Sequence, residues 1–223
     1  MDFSFLSRYA DYFLRGAGLT VYLSFFTVLF GTVLGVVLAL MKLSSIRPLK
    51  WFATGYVEFI RGTPLLVQVF IIYYGIPQIT TQIFGSPLDM PDKVSGIIAL
   101  SINSAAYMAE IFRAGIENID KGQTEAARSL GMSKSLMMRL IILPQAIKNI
   151  LPALGNEFIV VIKESSIVMI IGLKELMYNA NVVKSKTFQG FEPYLAAALV
   201  YFAITFTLSR LLARFERRLK VSD

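Results

Sequence analysis

At 223 residues, 55% of them hydrophobic, and with a mean hydropathy of +0.61, the chain is more apolar than a soluble core of this size requires, and its length suits one membrane bundle. It has no cysteine and no histidine, which excludes disulfides, thiol nucleophiles, Cys/His metal sites and imidazole acid/base chemistry. The net charge of +7 is assigned to the cytoplasmic loops of a multispan protein, not to nucleic-acid binding.

Residues 1–17, "MDFSFLSRYADYFLRGA", set Phe5, Tyr9, Tyr12 and Phe13 at near-helical spacing among charges and predict a short amphipathic helix on the outer interface. Residues 18–215 form one membrane domain. Apolar runs of about 20 residues, enough for a helix to cross the hydrocarbon core, predict five spans. They cover 18–41, 52–76, 94–115, 146–172 and 193–212. The first run is too long for a signal-peptide core and lacks a clean cleavage site, so it is expected to stay as a span. The second is interrupted by Arg61, Gly62, Thr63 and Pro64, so it either kinks there or starts obliquely from the interface. The fifth ends in Arg210, Arg214, Arg217, Arg218 and Lys220, a place for cations that snorkel to headgroups, and a tail of 216–223 follows.

An odd number of spans puts the termini on opposite sides. With the N-terminus outside, Lys42, Arg47, Lys50, Arg113, Lys121, Arg128, Lys134, Arg139, Lys148 and the five tail cations face the cytoplasm. That makes fourteen, against six outside (Arg8, Arg15, Lys93, Lys174, Lys184 and Lys186). The positive-inside rule therefore predicts N-terminus out and C-terminus in.

Within the third run, Ser101, Ala105 and Ala109 recur every fourth residue and form a face on which another helix can pack closely. Asn103, Tyr107 and Glu110 lie on the opposite side. In the fourth run Asn156, Glu157, Lys163 and Glu164 fall in one wedge, followed by Ser165 and Ser166. Ionisable groups at membrane depth usually face a bundle interior or a water-filled path. Gln68, Asn103, Tyr107, Glu157, Lys163, Glu164 and Ser165 are therefore candidates for a solute path. Two readings stay open for the charged ones: they serve the path, or they sit near the interface and pair to fix packing. The serine hydroxyls likewise either serve a ligand or bond back to their own helix.

Between Arg113 and Lys148 the chain is polar but ordered. Asp120 can cap a helix through Glu125, Ala126, Ala127 and Leu130 that stops at Gly131. Ser133 can cap a second helix that runs to Leu143, where Pro144 disfavours its continuation. Small Ala126 and Ala127 allow another surface to approach, with Glu125 and Arg128 at its edge.

The stretch "EAARSLGMSKSLMMRLIILP" matches the signature E-A-A-x3-G-x9-I-x-L-P at Glu125, Ala126, Ala127, Gly131, Ile141, Leu143 and Pro144. It resembles the EAA loop of permease subunits of bacterial ABC importers. "EFIRGTPLLVQVFIIYYG" and "LPALGNEFIVVIKESSIV" resemble the polar amino acid branch, the histidine, glutamine, arginine and cystine type. The resemblance spans roughly 15–215 and implies an all-α integral membrane bundle of type I importer form. It further implies that the loop 117–144 is a coupling helix seated on an ATPase, with Glu125, Ala126, Ala127, Arg128, Gly131 and Pro144 as its coupling residues. The chain has no Gly-Lys pair and so no phosphate-cradling loop, which puts ATP and magnesium on a partner ATPase and leaves no cofactor here. A second permease subunit, identical or related, and an extracytoplasmic amino acid-binding protein are the other implied partners, in the inner membrane among its lipids.

The leading expectation is thus a permease subunit that moves a polar L-amino acid inward by alternating access, with the excess of acidic over basic residues in the spans leaning toward a basic one. The alternative is a secondary transporter or channel using Glu110, Glu157, Lys163 and Glu164 as an ion relay. An intramembrane enzyme would have to rest on Lys163 and Ser166.

Overall fold

Long apolar runs with few prolines leave the backbone one way to satisfy its hydrogen bonds in lipid, and the chain is helical almost throughout. The computed structural model describes residues 2–221, without the side chains of 219–221; the Lys220 side chain and residues 222–223 of the expected tail lie outside the described residues. Ten α-helices follow in order: α1 (Phe5–Leu43), α2 (Arg47–Gly62), α3 (Leu65–Phe70), α4 (Ile76–Phe84), α5 (Asp92–Glu117), α6 (Lys121–Ser129), α7 (Lys134–Met137), α8 (Leu143–Glu164), α9 (Leu176–Thr187) and α10 (Glu192–Val221). Among the described residues α1, α5 and α10 are each long and apolar enough to cross a membrane, and the bent pair α2 with Leu65–Phe84 passes the same test as a unit. Helix α8, with 22 residues, is about 33 Å long, but its polar residues keep it below that apolarity.

The expected boundary at residue 17 is absent. Helix α1 runs through it, so residues 5–17 belong to the same helix as the first expected span. Phe5 and Phe13 pack with Leu176, Ala180 and Val183 of α9 and with Ala196 and Ala197 of α10. Gly16 makes that approach possible, since a Cβ there would lie 2.7 Å from the Leu176 Cα. No apolar run predicts an element at α9. Glu175 builds it: the buried carboxylate accepts from the N–H groups of Met177 (2.9 Å) and Tyr178 (2.7 Å) at the helix start and from the hydroxyl of Tyr201 on α10 (2.8 Å).

Helices α1 and α5 form the most extensive pair. Gly35 lies against Met108, Ala105 and Ala109, where an added Cβ would come within 2.4 Å of the Met108 Cβ, and Gly31 lies against Ser104. This is small-residue packing of the kind membrane helices use in place of a hydrophobic driving force. Helix α8 packs on α5 and α10, with Gly115 admitting Ile150 and Gly155 admitting Leu212.

Two expected boundaries shift for the same physical reason. A π-turn over Met138–Ile142 joins α7 to α8, with the Leu143 N–H bonded back to the Met138 carbonyl. The wider register keeps the Pro144 ring off the carbonyl it would strike in an α-helix, so the second loop helix does not stop at Leu143 but continues into α8. A second π-turn, Ile71–Gly75, precedes Pro77 in the same way and carries the helix on to Phe84. The interruption expected at Arg61–Pro64 is a kink, the first of its two readings: α2 and the helix from Leu65 are bent by 108°.

Candidate functional site

The polar loop is a built structure. Asp120 accepts from the Gly122 N–H at 2.6 Å and starts α6. At the other end the Met132 N–H reaches the Ala127 carbonyl (3.1 Å) and the Gly131 N–H the Arg128 carbonyl (2.9 Å). This paired closure needs a left-handed residue, and Gly131 supplies it with φ of 75°. Ser133 then accepts from the Leu136 N–H at 3.3 Å and starts α7. Beneath the corner, Ala127, Met137 and Ile142 form a small core with Ile116, Ile119, Met132, Met138 and Ile141.

That core corrects one expectation. Ala127 is 1% exposed and supports the loop from inside, so it offers no surface to a partner. The outward face carries Glu125, Ala126, Arg128 and Gly131, together with Leu130, which is 81% exposed. Leu130 had been read only as part of the helical run; a leucine beside a left-handed glycine was the available signal for a tip. Pro144 is exposed and sits at the head of α8.

The intramembrane candidates separate into two groups. Gln68 and Asn103 are each 5% exposed and belong to the fold. The Gln68 amide donates to the Ile60 carbonyl (2.7 Å) and to the carbonyl and hydroxyl of Thr63 (3.2 and 2.9 Å). These are the backbone groups released where α2 ends. Asn103 on α5 donates to the Gln68 side-chain oxygen at 2.9 Å and holds it in place. Ser165 is fully buried and donates to the Ile162 carbonyl (2.8 Å), and Ser166 donates to Lys163 in the same way. These hydroxyls therefore take the second of their two readings, bonding back to their own helix. Gln68, Asn103 and Ser165 are accordingly not available to a solute in this conformation.

Glu110 is held by Lys42 of α1 and by Arg113, which also meets Glu117. The carboxylate ties the ends of α1 and α5 together and is not free for an ion relay. The pairing with Lys42 joins two helices and leaves no local trace in the sequence, whereas that with Arg113 is an i,i+3 pair within α5. Tyr107 is half-buried with the Arg61 guanidinium 5.4 Å from its ring centroid, a cation–π distance. Glu157 and Glu164 are half-buried and seven residues apart on α8, and Lys163 is exposed beside Glu164. Tyr107, Glu157, Lys163 and Glu164 are, unlike Gln68, Asn103 and Ser165, only half-buried or exposed, as are Asn149, Asn156, Glu58 and Arg61.

The family of binding-protein-dependent transport system inner membrane components matches residues 31–221. The chain belongs to that family. The arginine transport system permease protein ArtQ of Bacillus subtilis (strain 168) is 41% identical over 223 residues, which is 100% of this chain and 99% of that one. A putative glutamine transport system permease protein GlnP of Rickettsia bellii (strain RML369-C) is 40% identical, over 99% of this chain and 100% of its own. Among solved structures, the crystal structure of an amino acid ABC transporter with histidines contains a chain that is 51% identical, with a TM-score of 0.91 and coverage of 98% of this chain and 99% of that one. As a binding-protein-dependent inner membrane component, the chain is a multi-pass permease subunit, helical throughout its spans, which carries no catalysis itself and works with an ATPase and a binding protein.

Proposed function

We propose that this permease subunit imports a polar L-amino acid, using ATP hydrolysed on a partner subunit. The observation that carries the reading is the loop: a self-supported helix, glycine corner and second helix that leaves Glu125, Ala126, Arg128 and Leu130 outward and is continuous, through the π-turn, with α8. A push on α6 is thereby transmitted to the helix that bears Glu157, Lys163 and Glu164. The names of the relatives, which concern arginine, glutamine and histidine, support an amino acid as cargo.

In this reading the N-terminus lies outside and the loop lies in the cytoplasm, supported by the cation bias. Helix α8 is the fourth span despite its polarity. Its exposed residues Asn149, Asn156 and Lys163 recur at seven-residue intervals, and a polar face at that depth is stable only against protein or water. A second permease subunit, identical or related, covers it, and the solute passes between them near Tyr107, Glu157, Lys163 and Glu164. The carboxylates of Glu157 and Glu164 suit the ammonium or side chain of a cationic amino acid, and Lys163 suits a carboxylate.

Reconstituted with its ATPase and binding protein, the complex is expected to accumulate an amino acid only when ATP is supplied. Uptake that persists without nucleotide would refute the proposal and favour a secondary transporter.

A further inference from the structure

Beside the coupling loop lies an open cleft of about 520 Å³ lined by Lys134, Ser135, Met138, Arg139 and Leu143. Both cations are exposed, and neither has an ion pair or a side-chain hydrogen bond among the described residues. No acidic residue lines the cleft. Its chemistry is that of an anion site, with two cations and one hydroxyl donor.

The surroundings say which anion. From the floor of the cleft an exposed apolar stripe continues along α8 through Leu143 (40%), Ile147 (44%) and Leu151 (37%). At about 100° per residue, the centre of this stripe lies about 180° from that of Asn149, Asn156 and Lys163. The polar face is the one read above as facing a second subunit or the path, so the stripe is turned toward lipid tails. A cationic cleft at one end of a lipid-facing stripe matches a phospholipid, with a negative headgroup above and acyl chains below. Resting on the cytoplasmic placement of the loop proposed above, the cleft opens on the leaflet where anionic lipids give a negative surface potential.

We infer that this cleft binds the headgroup of an anionic phospholipid of the inner leaflet. The wall of the cleft is the π-turn Met138–Ile142, so the lipid braces the joint between the coupling loop and α8. Two cations near an anionic surface, at about fivefold each, give a preference on the order of twenty- to thirty-fold over a zwitterionic lipid.

Native mass spectrometry of the purified permease–ATPase complex, incubated with phosphatidylglycerol or with phosphatidylcholine of the same chains, tests this. The wild type is expected to retain phosphatidylglycerol preferentially, and the double variant K134Q/R139Q to fall to near parity while still holding the ATPase. Equal retention of the two lipids by the wild type, or an unchanged preference in the variant, would overturn the inference. Loss of the ATPase from the variant would assign the cleft to that subunit and overturn it as well. A wild-type chain that carries no ATPase but prefers phosphatidylglycerol would instead count against the coupling proposal and leave the lipid site standing.

Discussion

The turn at Gly62–Pro64 and the turn at Leu130–Ser133 both end a helix at or next to a glycine and start another within a few residues, yet they dispose of their polar groups in opposite directions. At the first, Gln68 folds back onto the carbonyls of Ile60 and Thr63, and Asn103 closes the cluster from α5. At the second, the backbone satisfies itself through Gly131 and Met132, which leaves Glu125, Arg128 and Leu130 to face outward. Lipid accounts for the first, because a released carbonyl there has no water to turn to. Water accounts for the second, because side chains not needed by the backbone can be presented to a partner. Polarity inside a membrane segment is therefore not by itself a sign of a solute path.

The contrast can be broken at either turn. The largest effect is expected from Gln68→Leu, which strands the Ile60 and Thr63 carbonyls and the Asn103 amide. It should destabilise the solubilised protein by about 3 kcal/mol or more, at a minimum of about 1 kcal/mol for each of the three groups left unpaired. Thermal unfolding in detergent checks this, and a loss near zero would mean that water reaches the break. Asn103→Ala removes one bond of the same cluster and should cost about 1 kcal/mol, with the rate of ATP-driven uptake at saturating substrate close to wild type. A selective loss of uptake would return Asn103 to the path.

At the loop the effects on stability are smaller and those on coupling larger. Gly131→Val forces a β-branched residue to a φ of 75°, a local cost of about 1–2 kcal/mol, and should lower ATPase-driven transport well before it lowers global unfolding temperature. Ser133→Ala removes the cap of α7 at about 1 kcal/mol or less, and limited proteolysis should find the loop cut faster with the spans intact. Ser165→Ala is expected to be the mildest: its hydroxyl only bonds back to Ile162, so uptake and stability should both stay within about 0.5 kcal/mol of wild type.

The same contrast explains what could be read from the sequence. The caps at Asp120 and Ser133 and the corner at Gly131 depend on residues within three or four positions, and the structure has them where the sequence puts them. The all-helical membrane fold was equally legible, since runs of apolar residues leave few alternatives. Pairings across helices were not. Gln68 with Asn103, and Lys42 with Glu110, join positions far apart in the chain. The continuity of α7 into α8 was hidden because a π-turn absorbs a proline that local rules treat as a stop. The inward face of Ala127 was hidden because two adjacent alanines look alike until a core forms beneath one of them. A signal was present and unread in α1, where Gly31 and Gly35 have the small-x3-small spacing of close helix packing.

In the function proposed above, the loop presents a docking face which the membrane fold does not need. The most direct measurement is co-purification of the ATPase with the Glu125→Lys variant, alongside its thermal unfolding. The ATPase is expected to be lost or strongly depleted while the unfolding of the permease, measured without the ATPase, is unchanged within about 0.5 kcal/mol. Retention of the ATPase at the wild-type ratio would contradict it.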